Sequence, residues 1–123
     1  MRNYRDLIVW EKAHRLTLAI YQNTRAFPTG ERFGLTSQMR RASASIAANL
    51  AEGCGRRSDG EMARFVQIAM GSGAELSYHL LLARDLGLLE QAVYNAMNSD
   101  LAAVMRMMSA LSSKVRGTRE ARP

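Results

Sequence analysis

Glu11-Lys12-Ala13-His14 has the Glu-x-x-His spacing with which carboxylate-rich helical bundles hold a pair of iron ions. Such a site needs the motif twice and two further glutamates. His79, the second of two histidines, follows Glu75 by four residues rather than three. The pattern lacks its twin, so solvated or interface histidines are expected, and neither metal nor cofactor. Cys54 stands beside Arg56 and Arg57, cations that can favour a thiolate, but no histidine lies near it in sequence to act as a base. It is expected to be a structural thiol. Gly53-Cys54-Gly55 lacks the lysine of a phosphate-cradling loop and is expected to terminate a helix.

Arginine carries most of the remaining chemistry. The net charge is +6, and Lys12 and Lys114 are the only lysines. The planar guanidinium donates two parallel hydrogen bonds to a phosphate, so an arginine-based charge suits nucleic acid. Two doublets, Arg40-Arg41 and Arg56-Arg57, are the candidate nucleic-acid contacts of the folded part. Tyr4 and Tyr94 offer stacking surfaces that no spacing ties to these arginines. Half of the net charge of +6 falls in residues 114–123, where Lys114, Arg116, Arg119 and Arg122 face only Glu120. A disordered solubilising tail over 116–123 is the favoured expectation, with nucleic-acid contact as its rival.

A polar line accompanies the first doublet. Arg41, Ser45, Asn49 and Glu52 recur every three or four residues, on one face of a helix, and Glu61, Arg64, Ile68, Ser72 and Glu75 do so on the next. Folding the chain back about residue 58 puts Glu52 near Arg64 and Arg41 near Glu75 in a single register. Two ion pairs are therefore expected across the hairpin, with Ser45, Asn49 and Ser72 hydrogen-bonding between them. A network that fixes helix register is favoured over a polar ligand pocket or a phosphate-facing arginine row.

The elements that must position these groups are helical. The 123 residues suffice for one domain with its own core; proline occurs twice, and hydrophobic residues make up 47%. The first helix is expected over Asp6 to Arg25, capped by Asp6, with Val9, Ala13, Leu16 and Ile20 buried. Leu7, Ile8, Val9 and Trp10 are apolar in succession, so one of them must face a second surface. Phe27-Pro28 stops this helix.

A second helix shows Leu35, Met39, Ala42, Ile46, Leu50 and Gly53 in seam register, and ends at Gly53 and Gly55. The third opens on the capping box Ser58-Asp59-Gly60-Glu61 and buries Met62, Phe65, Ala69, Ser72, Leu76, Leu80 and Ala83. Gly71 and Gly73 inside it imply close approach by another backbone. The fourth runs from Gln91 to Val115 on Val93, Met97, Leu101, Val104, Met108, Leu111 and Val115. The eight methionines are expected as core fill. Short turns near 54–58 and 87–90 make neighbours antiparallel. The expected fold is thus all-α: an up-down-up-down antiparallel four-helix bundle over residues 1–115. Alanine and serine on nearly every side of the second helix point to packing on several flanks, hence to self-assembly. One cysteine, no apolar leader and no membrane-length apolar run suggest a cytoplasmic protein.

The segments Leu7-Ile8-Val9-Trp10-Glu11-Lys12-Ala13, Phe27-Pro28, Glu31-Arg32-Phe33-Gly34-Leu35-Thr36-Ser37-Gln38 and Arg40-Arg41-Ala42 resemble the bacterial "four helix bundle protein" family. So do Ser45-Ile46, Asn49-Leu50-Ala51-Glu52-Gly53, Gly71-Ser72 and Glu75-Leu76. The resemblance covers residues 4–112. That family includes proteins encoded in intervening sequences of large-subunit ribosomal RNA genes, and is related to the accessory variability determinant of diversity-generating retroelements. It implies a cytosolic bundle assembled as a ring or barrel, typically of five subunits around a channel, with no known enzyme activity for most members. In the retroelement relatives, a basic pentamer binds a reverse transcriptase and nucleic acid. Arg40, Arg41 and Arg56 match the family's motif positions. Ala47 replaces a frequent proline, which would remove a kink, and Gly73 replaces a larger residue. The expected function is a non-enzymatic homo-oligomeric scaffold or accessory factor that contacts RNA or DNA. A purely protein-binding adaptor and a metal-dependent enzyme are the alternatives.

Overall fold

The computed structural model describes residues 2–120, with side chains through residue 117. It contains four helices, α1 (Ile8–Thr24), α2 (Leu35–Cys54), α3 (Asp59–Asp85) and α4 (Gln91–Glu120), and no strand among the described residues. Each packs on two neighbours: α1 on α2 and α4, α3 on α2 and α4, and among the described residues the backbones of neither diagonal pair come close. The buried hydrogen bond from Thr17 Oγ1 to the Ser43 carbonyl (3.1 Å) and that from Arg40 Nε to Thr24 Oγ1 (3.0 Å) show index falling along α2 as it rises along α1. Of the described helices, none is long and apolar enough to cross a membrane.

The core follows the apolar periodicity. Val9, Ala13, Leu16 and Ile20 are buried on α1; Leu35, Met39, Ala42, Ile46 and Leu50 on α2; Met97, Leu101, Val104, Met108 and Val115 on α4. On α3 the buried face is Met62, Val66, Ala69, Gly73, Leu76, Leu80 and Ala83. Phe65 and Ser72 sit at its margin instead, since the α3 stripe turns by one residue toward Val66 and Gly73. Of the apolar run at 7–10, Ile8 is the side chain left outside, 63% exposed.

Several boundaries differ from those expected. Asp6 does not cap α1. It lies in a 3-10 turn (Tyr4–Asp6) capped by Asn3, whose Oδ1 accepts from the Arg5 amide, and Leu7 then leads into α1. Gly53 does not end α2 but lies within it, because a Cβ there would stand 3.1 Å from Phe65 Cβ and 3.4 Å from the Met62 carbonyl oxygen. Gly73 fits the close-approach expectation only in part, since its neighbour is the Met105 side chain rather than a backbone, and Gly71 faces open space. At the end of α3, Gly87 (φ 76°) takes the left-handed conformation, with Leu88 N–H bonded to the Ala83 carbonyl at 2.9 Å. α2 runs unbroken through Ala47. α4 continues to Glu120, so residues 116–120 extend the last helix where a disordered tail was expected. The remainder of that tail lies outside the described residues.

Candidate nucleic-acid interface

Arg40 is the best-anchored arginine of the four candidates. One α2 turn past the helix start, its Nε donates to Thr24 Oγ1 at 3.0 Å and its Nη2 to the Tyr21 carbonyl at 3.3 Å. The guanidinium stands 4.7 Å from the Tyr21 ring centroid. The last turn of α1 has no basic residue of its own. Arg40 therefore supplies the positive charge that the C-terminal carbonyls of α1 favour. Arg41, next along α2, is exposed and enters no ion pair among the described residues.

The connector between α1 and α2 adds groups that spacing along a helix could not reveal. Phe33 is 87% exposed, with the Arg32 guanidinium 5.3 Å from its ring centroid. A depression of about 390 Å³ joins Tyr21, Arg32, Phe33, Thr36 and Arg41, with Arg40 on its wall. A second, of about 260 Å³, shares Arg32, Thr36 and Arg40 and reaches Arg25. Four arginines and two aromatic rings thus meet at one end of the bundle. Tyr21 and Phe33 are the rings that lie beside these arginines. Tyr4 packs on Trp10 at 4.8 Å and Tyr94 lies under Arg84 at 4.6 Å, and neither lines a depression with Arg40 or Arg41.

Arg56 and Arg57 lie at the opposite end, past the C-terminus of α2, about 22 Å from Arg41 at the rise of a helix. The structure does not bring the two doublets together. Arg56 Nη2 bonds to Glu52 Oε1 at 2.6 Å, and the guanidinium lies 4.8 Å from the Phe65 ring centroid. Arg57 is exposed. Beside them the Arg2 amide donates to the Cys54 carbonyl at 2.9 Å, lining a depression of about 280 Å³ with Ser58 and Met62. Burial raises the Cys54 thiol pKa above its ordinary 9.0, against the opposing pull of the Arg2 charge. The neighbouring arginines therefore do not turn it into a ready thiolate.

The polar line divides at its middle. Ser45 and Ser72 hydroxyls meet at 2.9 Å across α2 and α3, and Asn49 Nδ2 donates to the Ser45 carbonyl (2.8 Å) and Oγ (3.0 Å). Neither expected ion pair forms. Glu52 pairs instead with Arg56, one turn along the chain, an arrangement that orders fewer bonds than reaching across to another helix. Arg64 extends over Phe65 at 5.4 Å, while Arg41 and Glu75 remain exposed without an ion-pair partner among the described residues. Glu11 is held by Arg15 at 2.7 Å, and His14 stacks on Trp10 at 5.2 Å on the exposed side of α1. His79 is buried rather than solvated. Among the described residues, no three His, Cys, Asp or Glu side chains gather as metal ligands would.

The family model of the 23S rRNA-intervening sequence proteins matches residues 5–110. Among solved structures, a protein with unknown function from the S23 ribosomal protein family of Bacteroides thetaiotaomicron matches with a TM-score of 0.80 and 20% identity, covering 86% of this chain and 96% of that one. At that identity the likeness establishes the shared fold. No match was found among curated proteins. With a match that spans most of its length and takes in α1, α2, α3 and the larger part of α4, the chain belongs to the 23S rRNA-intervening sequence protein family.

Proposed function

We propose that this is a non-enzymatic, cytoplasmic scaffold or accessory protein whose up-down-up-down bundles assemble as a pentamer around a channel and contact RNA or DNA through arginine-rich surfaces. The observation that carries the nucleic-acid part is the gathering of Arg25, Arg32, Arg40 and Arg41 around Tyr21 and Phe33. Guanidinium groups beside exposed rings serve both phosphate and base. Self-assembly draws support from the apolar side chains left in water: Ile8, Leu18, Tyr78 and Leu86 are each at least half exposed. The same residues favour a second reading, a protein-binding adaptor.

Binding of a structured RNA and of duplex DNA at two salt concentrations separates the two. Each phosphate contact contributes about 0.7 to 0.9 to the slope of log affinity against log salt. A slope equivalent to three or more contacts supports the nucleic-acid reading. Salt-independent association, or none at low salt, leaves the adaptor. Light scattering of the purified protein tests assembly, and a monomer at micromolar concentration ends the ring.

A further inference from the structure

The start of α2 is built differently from that of α3. Ser58 caps α3 and Asp59 and Glu61 lie in its first turn, whereas α2 begins at Gly34 with no side-chain cap and no acidic residue in its first turn. The amides of that first turn therefore have no side-chain acceptor, and the positive end of the helix dipole is unscreened by a carboxylate of its own. Arg32 and Arg41 flank this end, and neither is in an ion pair among the described residues.

An independent feature lies at the same place. Thr36, 8% exposed, lines both depressions, and its Oγ1 has no hydrogen-bond partner among the described residues. A buried hydroxyl is ordinarily satisfied. Phe33 stands over the depression almost fully in water, although an exposed phenylalanine gains nothing in an isolated chain. Free amides, an unmatched hydroxyl and two unpaired guanidiniums suit a phosphate, and a bare ring one residue from Gly34 suits a base. A carboxylate does stand at this end, that of Glu31, whose Oε1 would lie 3.2 Å from a Cβ at Gly34. It opposes an anion there.

We infer that the α2 N-terminus is a seat for one nucleotide unit, with the phosphate held by the first-turn amides, Thr36, Arg32 and Arg41, and the base stacked on Phe33. This rests on the nucleic-acid reading above and narrows it to unpaired nucleotides. Two sources share the chemistry: a single strand and a free mononucleotide.

The test measures binding of labelled oligouridylate, of a duplex of equal length, and of uridine monophosphate as competitor, to the full chain at low salt. Phe33→Ala is expected to weaken oligouridylate binding about 5- to 100-fold and to leave duplex binding within twofold, because a duplex offers no free base. Thr36→Val, which keeps shape and removes the hydroxyl, is expected to weaken both oligouridylate and mononucleotide about tenfold. Glu31→Gln is expected to tighten them about 2- to 5-fold, while Glu61→Gln at the far end leaves them unchanged.

Mononucleotide binding that depends on Phe33 and Thr36, without strand binding, supports the seat with a free nucleotide as its source, even though the nucleic-acid reading then fails. Salt-dependent binding indifferent to Phe33 and Thr36 overturns the seat and leaves that reading standing. No binding of any probe overturns both. A Phe33→Ala protein with full helicity but a smaller mass by light scattering also overturns the seat, since that ring would then be a subunit contact.

Discussion

Gly71 lies in the interior of α3 and Gly53 in the last turn of α2, yet alanine is expected to act in opposite directions at the two. Neither has a positive φ, so alanine meets no backbone strain at either. In mid-helix, as at Gly71, the substitution recovers about 1 kcal/mol of propensity, and in the last turn, as at Gly53, at most about that. At Gly71 a Cβ would find nothing within 4 Å, and that gain is kept. For a chain of this length about 1 kcal/mol corresponds to roughly 3–6 °C in melting temperature. At Gly53 the new Cβ would lie 3.1 Å from Phe65 Cβ and 3.4 Å from the Met62 carbonyl oxygen, neither of which is the free end of a side chain. Relief requires α2 and α3 to separate near their turn, an overpacking cost of about 1–3 kcal/mol. The expected net is a loss of about 1 kcal/mol. Urea unfolding at two protein concentrations provides the assay, because a midpoint that moves with concentration reports coupled assembly. The same sign for both variants would refute the close-approach argument. A Gly71→Ala loss seen only as a weakened concentration dependence would show that this face of α3 meets another copy rather than water.

Three further outcomes follow from the geometry. Ser45→Ala and Ser72→Ala, with their double variant, are expected to show a coupling of about 0.5–1.5 kcal/mol in a denaturation cycle, as two hydroxyls at 2.9 Å require. Glu75→Gln is expected to change stability by less than about 0.5 kcal/mol, since the carboxylate is exposed and unpaired; a loss above about 1 kcal/mol would mean that an ion pair forms in the assembled protein. The raised pKa of Cys54 means that the folded chain holds its thiol proton more tightly than the unfolded chain. Its contribution to stability is full below the ordinary value of 9.0 and falls as pH rises through the folded pKa. Cys54→Ala is therefore expected to remove part of the alkaline loss of stability, and iodoacetamide is expected to label the native thiol far more slowly than the urea-unfolded one.

The helices and most of their buried faces could be read from the residues because burial acts at every turn of a helix and leaves a period of 3.6. Leu50 and Met108, buried to 0% exposure, sit where that period places them. The Ser45–Ser72 contact was legible for a related reason: once a capping box fixes where α3 starts, the register of the hairpin is set. The ion pairs were not legible, because register brings side chains only into the same region. Among exposed charges the choice of partner turns on fractions of a kcal/mol, which Arg56 wins over Arg64 by being local to Glu52. Gly53 misled for a different reason. A glycine near a helix end serves equally as a terminator or as a gap for a neighbouring helix, and only the Cβ direction toward Phe65 decides between them.

The candidate site illustrates the same limit more sharply. Arg40 and Arg41 stood out as a doublet, but their nearest aromatic partners, Tyr21 and Phe33, come from the last turn of α1 and from the connector. No period links residues in a helix to residues in a loop. The signal that could have found them is steric: Phe27-Pro28 ends α1, and a connector of ten residues must then turn back so that α2 can lie against α1. Whatever that connector carries must end beside the first turn of α2 and the last of α1, where Arg40 ties the two together through Thr24 and the Tyr21 carbonyl. An exposed phenylalanine flanked by arginine in such a connector is therefore already placed at a helix N-terminus, which is where the proposed seat requires it.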